Sequence, residues 1–499
     1  MKMNQRITVL THYTRSINIQ RDRGSAKVLE GYIATSRAIR TLERLSETFH
    51  DQQAPRAWSL VGPYGSGKSS FSLFLSSLLG NPEAEPTKTA FAKLEAATPA
   101  LAKTVASHTE DSQGMLQVLV TGAPEPMAKR IVSGLLDALE GAWTGRRGKR
   151  PIVFQHLSNL LAVDDLPTTE VMAAIASTQT ALEKTNYRGI VLIIDELGKF
   201  LEYEARHYGA NDIYLLQAIA EHACTGAKCN VYLFVMLHQS FEQYAKGLGE
   251  GLKSEWAKVQ GRFEEVPFIE ASEQVLRVVS SAIQHSFTKP EIASIKKHVT
   301  SIVTALYDMG ALPPTLKKRE AVELFLDCYP LHPITGLLLP LLCQKIAQNE
   351  RTLFSYLGSR EEFGLLDMLQ HLEVGEGWVL PHHVFDYFVS NQSAALGDYT
   401  IHRRWAEVTT ALARLGDAPT GQTALLKTIG VLNIVGAKGG LKPSVNLLEL
   451  IPFSEQSVNT TLSELIDKSL INYRNFNKEY RVWEGSDFNL EDAVQEAVN

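Results

Sequence analysis

Near-continuous runs of apolar residues alternate with helical patterns in the first half of the chain. The runs are AWSLV at 57–61, MLQVLV at 115–120, GIVLII at 189–194, NVYLFVML at 230–237 and, shorter, EVPF at 265–268. Such runs are typical of strands that are buried on both faces, and helices between them connect parallel strands. The pattern predicts an α/β fold, with a three-layer core and a parallel sheet at 57–270 after an N-terminal segment at 1–56. The segment 81–113, rich in Ala, Pro, Thr and charge, predicts a helical insertion on the surface.

From 271 to 392 the apolar residues recur only at helical spacing, as in SEQVLRVVSSAI and REAVELFLDCY. We therefore predict an all-helical domain there. Residues 393–499 contain three helical segments and then the hairpin pattern INYRNFNKEYRVW, which turns at 475–478. Three helices closed by a hairpin is the order of a C-terminal winged-helix domain. The chain ends in EDAVQEAVN, which is typical of a helix at its start, so we expect that the native chain can continue past 499.

Composition and charge narrow the class of protein. A chain of 499 residues with 44% hydrophobic and 21% charged residues predicts two to four folded domains. The net charge of -6 gives the whole molecule no electrostatic reason to bind nucleic acid or anionic lipid. Four scattered cysteines predict free thiols rather than a disulfide framework, which fits the cytoplasm. No apolar run approaches the ~20 residues that a membrane span needs.

The loop after the first apolar run matches the phosphate-binding pattern G-x-x-x-x-G-K-[ST]. It comprises Gly62, Pro63, Tyr64, Gly65, Ser66, Gly67, Lys68 and Ser69, and Ser70 follows in the predicted helix. Glycines allow successive backbone N–H groups to face a phosphate, and the following helix directs its positive end at the same anion. We expect Lys68 to contact the β- and γ-phosphates of ATP and the Ser69 hydroxyl to hold Mg²⁺. A glycine turn that binds nothing is the alternative.

Two acids, Asp195 and Glu196, end the most apolar of the predicted strands. Adjacent carboxylates at the end of a buried strand cost free energy unless a cation or a substrate uses them. We expect Asp195 to hold Mg²⁺ and Glu196 to polarise the attacking water, so that Lys68 and Glu196 are catalytic residues. A solvated acidic turn is the alternative, and the phosphate loop upstream argues against it.

The motifs GPYGSGKS and IVLIIDE, with a helical domain and a predicted winged helix behind them, resemble the AAA+ branch of P-loop NTPases that includes the origin-recognition initiators. The stretches IDELGKFLEYEA, LHQSFEQYA, GRFEEVPF and YPLHPITGLLLPLL also resemble ATP-binding proteins of bacterial anti-phage defence loci, of the BREX and related kinds. The resemblance implies an ATP hydrolase with an AAA+ core at 57–270, a helical lid at 271–392 and a nucleotide between the two.

The resemblance assigns two further roles beside the two motifs. His238 or Gln239, at the end of the strand after the Asp-Glu strand, would sense the γ-phosphate, with a polar pair that caps a helix as the alternative. Arg262, just before the last core strand, would act on the nucleotide of a neighbouring subunit, or else pair with Glu264 or Glu265 within its own chain.

Two more binding roles follow from the same resemblance. Arg351 would be a second sensor on the lid, with a surface ion pair as the alternative. Tyr32 and Ile33, with Arg37, are candidates for the adenine contact, although an ordinary core helix fits them equally well. Lys68 and Asp195 are 127 positions apart, which is longer than a minimal AAA+ core and implies an insertion.

Local charge bears on the expected partners. From 423 to 499 there are seven Lys and Arg against ten Asp and Glu, so the predicted winged helix carries a net charge of -3. Phosphates would repel such a surface, so we expect a protein partner or effector, and DNA only through local contacts of the hairpin or of the basic loop at 146–150. The resemblance, through the role it assigns to Arg262, implies a homo-oligomer. The expected function is an oligomeric ATPase that remodels or gates a partner in anti-phage defence. A slow nucleotide switch and a DNA-bound initiator or loader are the alternatives.

Overall fold

The computed structural model of the chain describes most of its residues. They are 2–483 except 11–16, 52–53, 64–65, 146–148, 208–211, 245–249, 269–271, 347–351, 376, 392–398, 437–439 and 454–455. The described strands are β1 (Ile7–Val9), β2 (Ala57–Val61), β3 (Met115–Thr121), β4 (Gly189–Asp195), β5 (Asn230–Leu237), β6 (Glu264–Pro267), β7 (Ile283–His285), β8 (Ile471–Arg474) and β9 (Glu479–Val482).

Helices connect the strands and make up most of the second half of the chain. In the first half they are α1 (Ala26–Glu30), α2 (Ser36–Glu47), α3 (Lys68–Leu78), α4 (Glu85–Ala97), α5 (Pro99–Thr109), α6 (Met127–Trp143), α7 (Val153–Leu161), α8 (Thr168–Leu182), α9 (Leu197–Arg206), α10 (Asp212–Cys224), α11 (Phe241–Tyr244) and α12 (Glu250–Gln260). They continue as α13 (Ser272–Ala282), α14 (Lys289–Asp308), α15 (Lys318–Asp327), α16 (Pro333–Ile346), α17 (Thr352–Gly358), α18 (Leu365–His371), α19 (Pro381–Asn391), α20 (Tyr399–Leu415), α21 (Thr420–Val435), α22 (Val445–Leu448) and α23 (Val458–Asp467).

The chain divides into two units, which we describe separately. The sheet unit is Ser16–Glu270, and the helical unit combines Met1–Arg15 with Ala271–Asn499. The predicted α/β class is confirmed in the sheet unit, where five parallel strands lie in the order β3-β4-β5-β2-β6. Each predicted apolar run corresponds to one of these strands.

Alternate residues of the strands face two separate hydrophobic clusters, one on each side of the sheet. On β4, Leu192 and Ile194 belong to the cluster that α6 to α10 cover. Val191 and Ile193 belong to the opposite cluster, which α2 to α5 cover. Both faces of the sheet are therefore buried, and this burial accounts for the missing polar alternation in the sequence.

The segment 81–113 differs from the predicted surface insertion. It forms α4 and α5, which bury Ala90, Leu94, Leu101 and Val105 in the same cluster as α3. Alanine, threonine and charge dominate its composition, but the apolar residues recur four apart, which places them on one face of each helix. The segment is thus part of the layer that covers the sheet.

The helical unit is not entirely helical, which corrects the prediction for 271–392. Strand β7 lies directly after α13 and pairs antiparallel with β1, with Ile7 opposite His285 and Val9 opposite Ile283. Each strand has only three residues, too few for an alternation to show in the sequence. Helices on both sides of the predicted boundary at 392/393 share one hydrophobic core, with Leu342 before it and Leu432 after it. The boundaries of the predicted domains stay predictions.

The C-terminal part contains the predicted helices and hairpin. Strands β8 and β9 pair antiparallel, with Tyr473 opposite Tyr480. The Asn433 side chain of α21 donates to the Tyr480 carbonyl oxygen at 3.0 Å and accepts from the Val482 N–H at 3.0 Å, which holds the hairpin on that helix. The assignment of these elements to a winged-helix domain stays a prediction.

Candidate nucleotide site

The predicted phosphate loop connects the end of β2 to the start of α3, at the carboxyl edge of the sheet. The Gly62 N–H donates to the Leu237 carbonyl oxygen of β5 at 3.0 Å. A side chain at residue 62 would overlap the carbonyl oxygen of Phe268, which follows β6, so the close approach of that backbone requires glycine. Gly67 has a φ of 86° and precedes the first turn of α3, a left-handed conformation that also favours glycine.

Lys68 reaches back across the loop. Its ammonium group donates to the carbonyl oxygens of Gly62 at 2.6 Å and Pro63 at 2.9 Å, and to Ser66 Oγ at 3.3 Å. The side chain is 8% exposed, so its charge lies inside the loop that the sequence predicts to surround phosphates. Ser70 follows in the first turn of α3 and is partly buried. Tyr64 and Gly65 lie outside the described residues.

Asp195 ends β4 and is 5% exposed. Burial raises the pKa of its carboxyl group, while a hydrogen bond from the Ser69 hydroxyl acts in the opposite direction. A hydroxyl and a carboxylate that are near enough to affect each other are suitable ligands for Mg²⁺, which prefers oxygen donors. Burial disfavours the charged form of this carboxyl group, which raises its pKa, and a bound cation would stabilise that charged form. The residues present therefore fit the predicted metal.

Glu196 follows in an unusual backbone conformation. Its φ is 52°, in the left-handed region, and its N–H donates to Asp195 Oδ1 at 2.9 Å. The Gly122 N–H donates to the Asp195 carbonyl oxygen at 2.8 Å, and a side chain at residue 122 would overlap the Glu196 carbonyl oxygen. The Glu196 carboxylate is 19% exposed and forms an ion pair with Lys199 on α9. Backbone contacts thus hold the Glu196 main chain, and with it the Cα from which the carboxylate side chain extends. Non-glycine residues in the left-handed region are common at functional sites.

Strand β5 lies between β2 and β4, so its end comes between the phosphate loop and the two acids. His238 and Gln239 follow this strand directly, and both are partly buried. Burial and, to a smaller extent, the positive charge of Lys68 lower the pKa of His238 to about 4, while Glu196 acts in the opposite direction. The imidazole is therefore neutral at pH 7 and lies within electrostatic range of both predicted catalytic residues.

The residues predicted for adenine lie beside α3. The Tyr32 ring stacks on that of Phe74, with centroids 4.2 Å apart, and Ile33 and Arg37 are partly buried next to it in the chain. Phe74 lies two turns after the phosphate loop on α3. The contact with adenine stays a prediction.

Arg262 lies at the other edge of the sheet. Strand β6 runs parallel to β2, with Glu264 opposite Trp58 and Pro267 opposite Val61, so the residue before β6 is at the amino edge. Its guanidinium pairs with Glu221 on α10 at 3.0 Å, rather than with Glu264 or Glu265. It is therefore separated from the phosphate loop of its own chain by the length of the strands. Arg351 lies outside the described residues.

Sequence reasoning missed three residues that contact the site: Gly122, Gly198 and Tyr244. Gly122 supports the Glu196 backbone, as described above. Gly198 lies in the first turn of α9, where a side chain would overlap the Tyr244 hydroxyl oxygen. The Tyr244 hydroxyl in turn hydrogen-bonds His238. A glycine inside a predicted helix directly after the Asp-Glu pair was the signal that could have revealed this contact.

Comparisons with known proteins find similar chains among the solved structures. No protein-family model and no curated protein matches the chain. Five solved chains match, among them the ORC2 protein of Aeropyrum pernix in ADPNP-ADP complexes, with 13% identity, a TM-score of 0.34, and coverage of 99% of this chain and 97% of that one. This similarity is too low to support an argument about the site, and it gives no support to the anti-phage part of the resemblance.

Two features are absent from the described part of the chain. Within it, no helix combines the length and the apolar composition that crossing a bilayer requires. Groups of three or more His, Cys, Asp or Glu that could hold a metal ion were also not found in this part of the chain. A magnesium ion held by Ser69, Asp195 and phosphate oxygens needs no such group.

Proposed function

We propose that this chain is a magnesium-dependent ATP hydrolase of the AAA+ type. One observation carries the proposal: Lys68, Asp195 and Glu196 meet at the carboxyl edge of one parallel sheet, where the Ser69 hydroxyl is near enough to lower the pKa of Asp195. Ligands of open α/β sheets bind at this edge. The lysine, the hydroxyl and the two carboxylates are the groups that phosphoryl transfer to water requires.

Each residue has a distinct task in this proposal. The backbone of the phosphate loop and the Lys68 ammonium bind the phosphate oxygens, and Lys68 exchanges its bonds to two loop carbonyls for them. Ser69 and Asp195 would hold Mg²⁺, which neutralises phosphate charge when it is bound. Glu196 orients the attacking water and accepts its proton. His238, neutral at the end of β5, offers a hydrogen bond to the γ-phosphate.

The biological setting is the part of the proposal that rests on sequence resemblance. It comprises assembly of several copies, with Arg262 completing a neighbour's site, and use of hydrolysis to remodel or gate a protein partner in bacterial anti-phage defence. It also places the protein in the cytoplasm. The predicted winged helix fits a protein partner better than DNA, because Lys468, directly after α23, donates to Gln422 Oε1 at 2.7 Å while Glu464 and Asp467 lie on that helix.

Substitution of the predicted general base tests the activity. We expect Glu196→Gln to lower kcat for ATP about 10²- to 10⁴-fold, because a positioned base contributes that range, while ATP still binds. Lys68→Ala should instead weaken ATP binding. Phosphate release at saturating ATP and Mg²⁺, with ATP affinity measured separately, distinguishes the two. Glu202→Gln, on the exposed face of α9, is the matched control and should behave like wild type.

The same assay separates the alternatives. Wild-type turnover that persists in Glu196→Gln would contradict the assigned base. ATP-dependent assembly with negligible turnover would favour a slow nucleotide switch. Turnover that duplex DNA stimulates, with binding that falls steeply as salt rises, would favour the initiator or loader. For the defence setting, phage plating on cells that carry wild type or Glu196→Gln should differ, and equal plating would contradict it.

A further inference from the structure

Thr121 is the last residue of β3 and lies beside Asp195 at the carboxyl edge of the sheet. The two residues are direct partners in the parallel pairing of β3 with β4. One residue further on, the Gly122 N–H donates to the Asp195 carbonyl oxygen at 2.8 Å, which holds the two strand ends together. Neighbouring strands lie about 4.8 Å apart, so the Thr121 side chain is within reach of groups that surround the Asp195 carboxylate.

The side chains of Thr121 and Asp195 project from the same face of the sheet. Paired residues of parallel strands point to the same side, and successive residues along each strand alternate. Leu119 and Ile193, the pair two residues earlier, both belong to the cluster that α2 to α5 cover. The alternation therefore directs Thr121 and Asp195 to the side of the sheet on which α3 begins, with Ser69 in its first turn.

The Thr121 hydroxyl oxygen is buried, and nothing in the described part of the chain forms a hydrogen bond with it. A buried hydroxyl without a partner costs free energy, so such a group in a native fold requires an explanation. The strand itself does not need the hydroxyl, because valine has nearly the same shape and is favoured in strands. A hydroxyl at this position therefore indicates a polar partner that binds in the functional state.

The polar partner that fits best is a water molecule on the magnesium ion. Mg²⁺ takes six ligands in octahedral geometry and usually keeps several waters beside its carboxylate and phosphate ligands. A threonine hydroxyl extends one bond less from the main chain than an aspartate carboxyl oxygen. Thr121 therefore does not reach as far as Asp195, and a water fills the remaining distance. Groups that hold the ligands of a metal in this way orient them and raise metal affinity.

We propose that Thr121 is a positioning residue of the magnesium site: its hydroxyl binds a water ligand of the Mg²⁺ ion that Ser69 and Asp195 hold. The inference rests on the proposed function, because it requires the nucleotide and the metal. Thr121 acts through that water and touches no reacting atom.

Metal affinity tests this role without any turnover. Mn²⁺ accepts the same oxygen ligands as Mg²⁺, and electron paramagnetic resonance follows its binding to the complex of the full chain with ADP. Thr121→Val keeps the shape of the side chain and removes the hydroxyl. We expect the Mn²⁺ dissociation constant of this variant to rise about 10- to 100-fold, the usual effect of losing a group that holds a metal ligand. Thr121→Ser keeps the hydroxyl and should bind Mn²⁺ nearly as tightly as wild type.

Thr428→Val is the matched control. It removes another buried hydroxyl without a partner among the described residues, on α21 in the helical unit, and should leave Mn²⁺ affinity unchanged. ADP affinity in EDTA should be the same in all variants, because the hydroxyl acts on the metal alone. Without nucleotide, Thr121→Val should resist urea at least as well as wild type, since the lost hydroxyl leaves no partner unpaired. Lower resistance would reveal a structural partner and contradict the role.

The outcomes distinguish this inference from the proposed function. Equal Mn²⁺ affinity in wild type and Thr121→Val would overturn the inference, while the proposed function would stand. An equal loss in Thr121→Val and Thr121→Ser would show a role in packing and would also overturn it. An additional water ligand on Mn²⁺ in Thr121→Val, counted from line broadening in H₂¹⁷O, would show that the hydroxyl itself is a ligand and would overturn the contact through water. A wild type that binds no ADP, or whose ADP complex binds no Mn²⁺, would overturn the proposed function and this inference together.

Discussion

At the scale of single residues, Glu204 and Asp212 are two carboxyl groups that burial affects strongly. Burial raises the pKa of Glu204 to about 8, and the nearby charge of Asp212 acts in the same direction. Burial also raises the pKa of Asp212 to about 6, although its carboxylate accepts from the Met127 N–H at 2.7 Å, at the start of α6. Among the described residues, one oxygen of Glu204 is buried without a hydrogen-bond partner.

These shifts predict how stability depends on pH. The folded chain keeps a proton on Glu204 up to about pH 8, whereas the unfolded chain releases it near the ordinary value of 4.5. The free energy of unfolding should therefore fall as pH rises between these values, because the unfolded state binds fewer protons there. We expect Glu204→Gln to reduce this fall in urea unfolding followed from pH 5 to 9. Glu202→Gln is the control, and parallel curves for wild type and Glu204→Gln would contradict the assignment.

The sequence predicted which residues meet at this edge better than it predicted the residues that support them. Lys68, Asp195 and Glu196 were predictable because the two motifs restrict residue type and spacing, and the structure brings them to one edge. Tyr244 was not predictable, because its contact depends on how α11 turns back toward β5. The alternative for Arg262 was a pair with acids nearby in the chain, but Glu221 on a different element is the partner.

At the scale of elements, the length of a strand decided whether the pattern of apolar residues could predict it. Strands of four or more residues in the sheet unit were visible as apolar runs, whereas β1 and β7 were too short to show a period. Their pairing joins residues nearly 280 positions apart, from Ile7 to His285, and no local sequence pattern predicts a contact between segments so far apart. Helices α4 and α5 were predicted as helices but not as part of the layer on the sheet, since their apolar residues are few.

Two helical glycines give a prediction at this scale. A Cβ on Gly430 of α21 would lie 2.6 Å from Val408 Cγ2 on α20, whereas nothing lies within 4 Å of the same position on Gly141 of α6. Valine is stiff at χ1, so Gly430→Ala should separate the two helices and cost about 1–3 kcal/mol by overpacking. Gly141→Ala should instead stabilise by about 0.5–1 kcal/mol, through helix propensity alone. Urea unfolding of both variants checks the sign, and equal effects would contradict the packing at residue 430.

At the scale of the whole molecule, the position of Arg262 bears on assembly. A residue before the amino end of β6 cannot serve the phosphate loop after the carboxyl end of β2, because the strands between them are parallel and in register. If Arg262 acts on a nucleotide, we therefore expect that nucleotide to be bound by another copy. The ion pair of Arg262 with Glu221 is half-exposed, and exposed ion pairs contribute only about 0–1 kcal/mol to stability, so little free energy is needed to break it.

Mixing of variants tests this role. Arg262→Ala and Lys68→Ala should each be inactive alone, since one lacks the arginine that stabilises transition-state charge and the other lacks the phosphate lysine. In a mixed assembly, an Arg262→Ala subunit keeps its lysine and can receive the arginine of a Lys68→Ala neighbour. Random 1:1 mixing in a closed ring would restore about a quarter of the wild-type rate per subunit. Lys68→Ala mixed with the double variant is the control without an intact site. Absence of rescue in hybrids shown to assemble would mean that Arg262 does not act across an interface, and its pair with Glu221 would then be a surface contact of one chain.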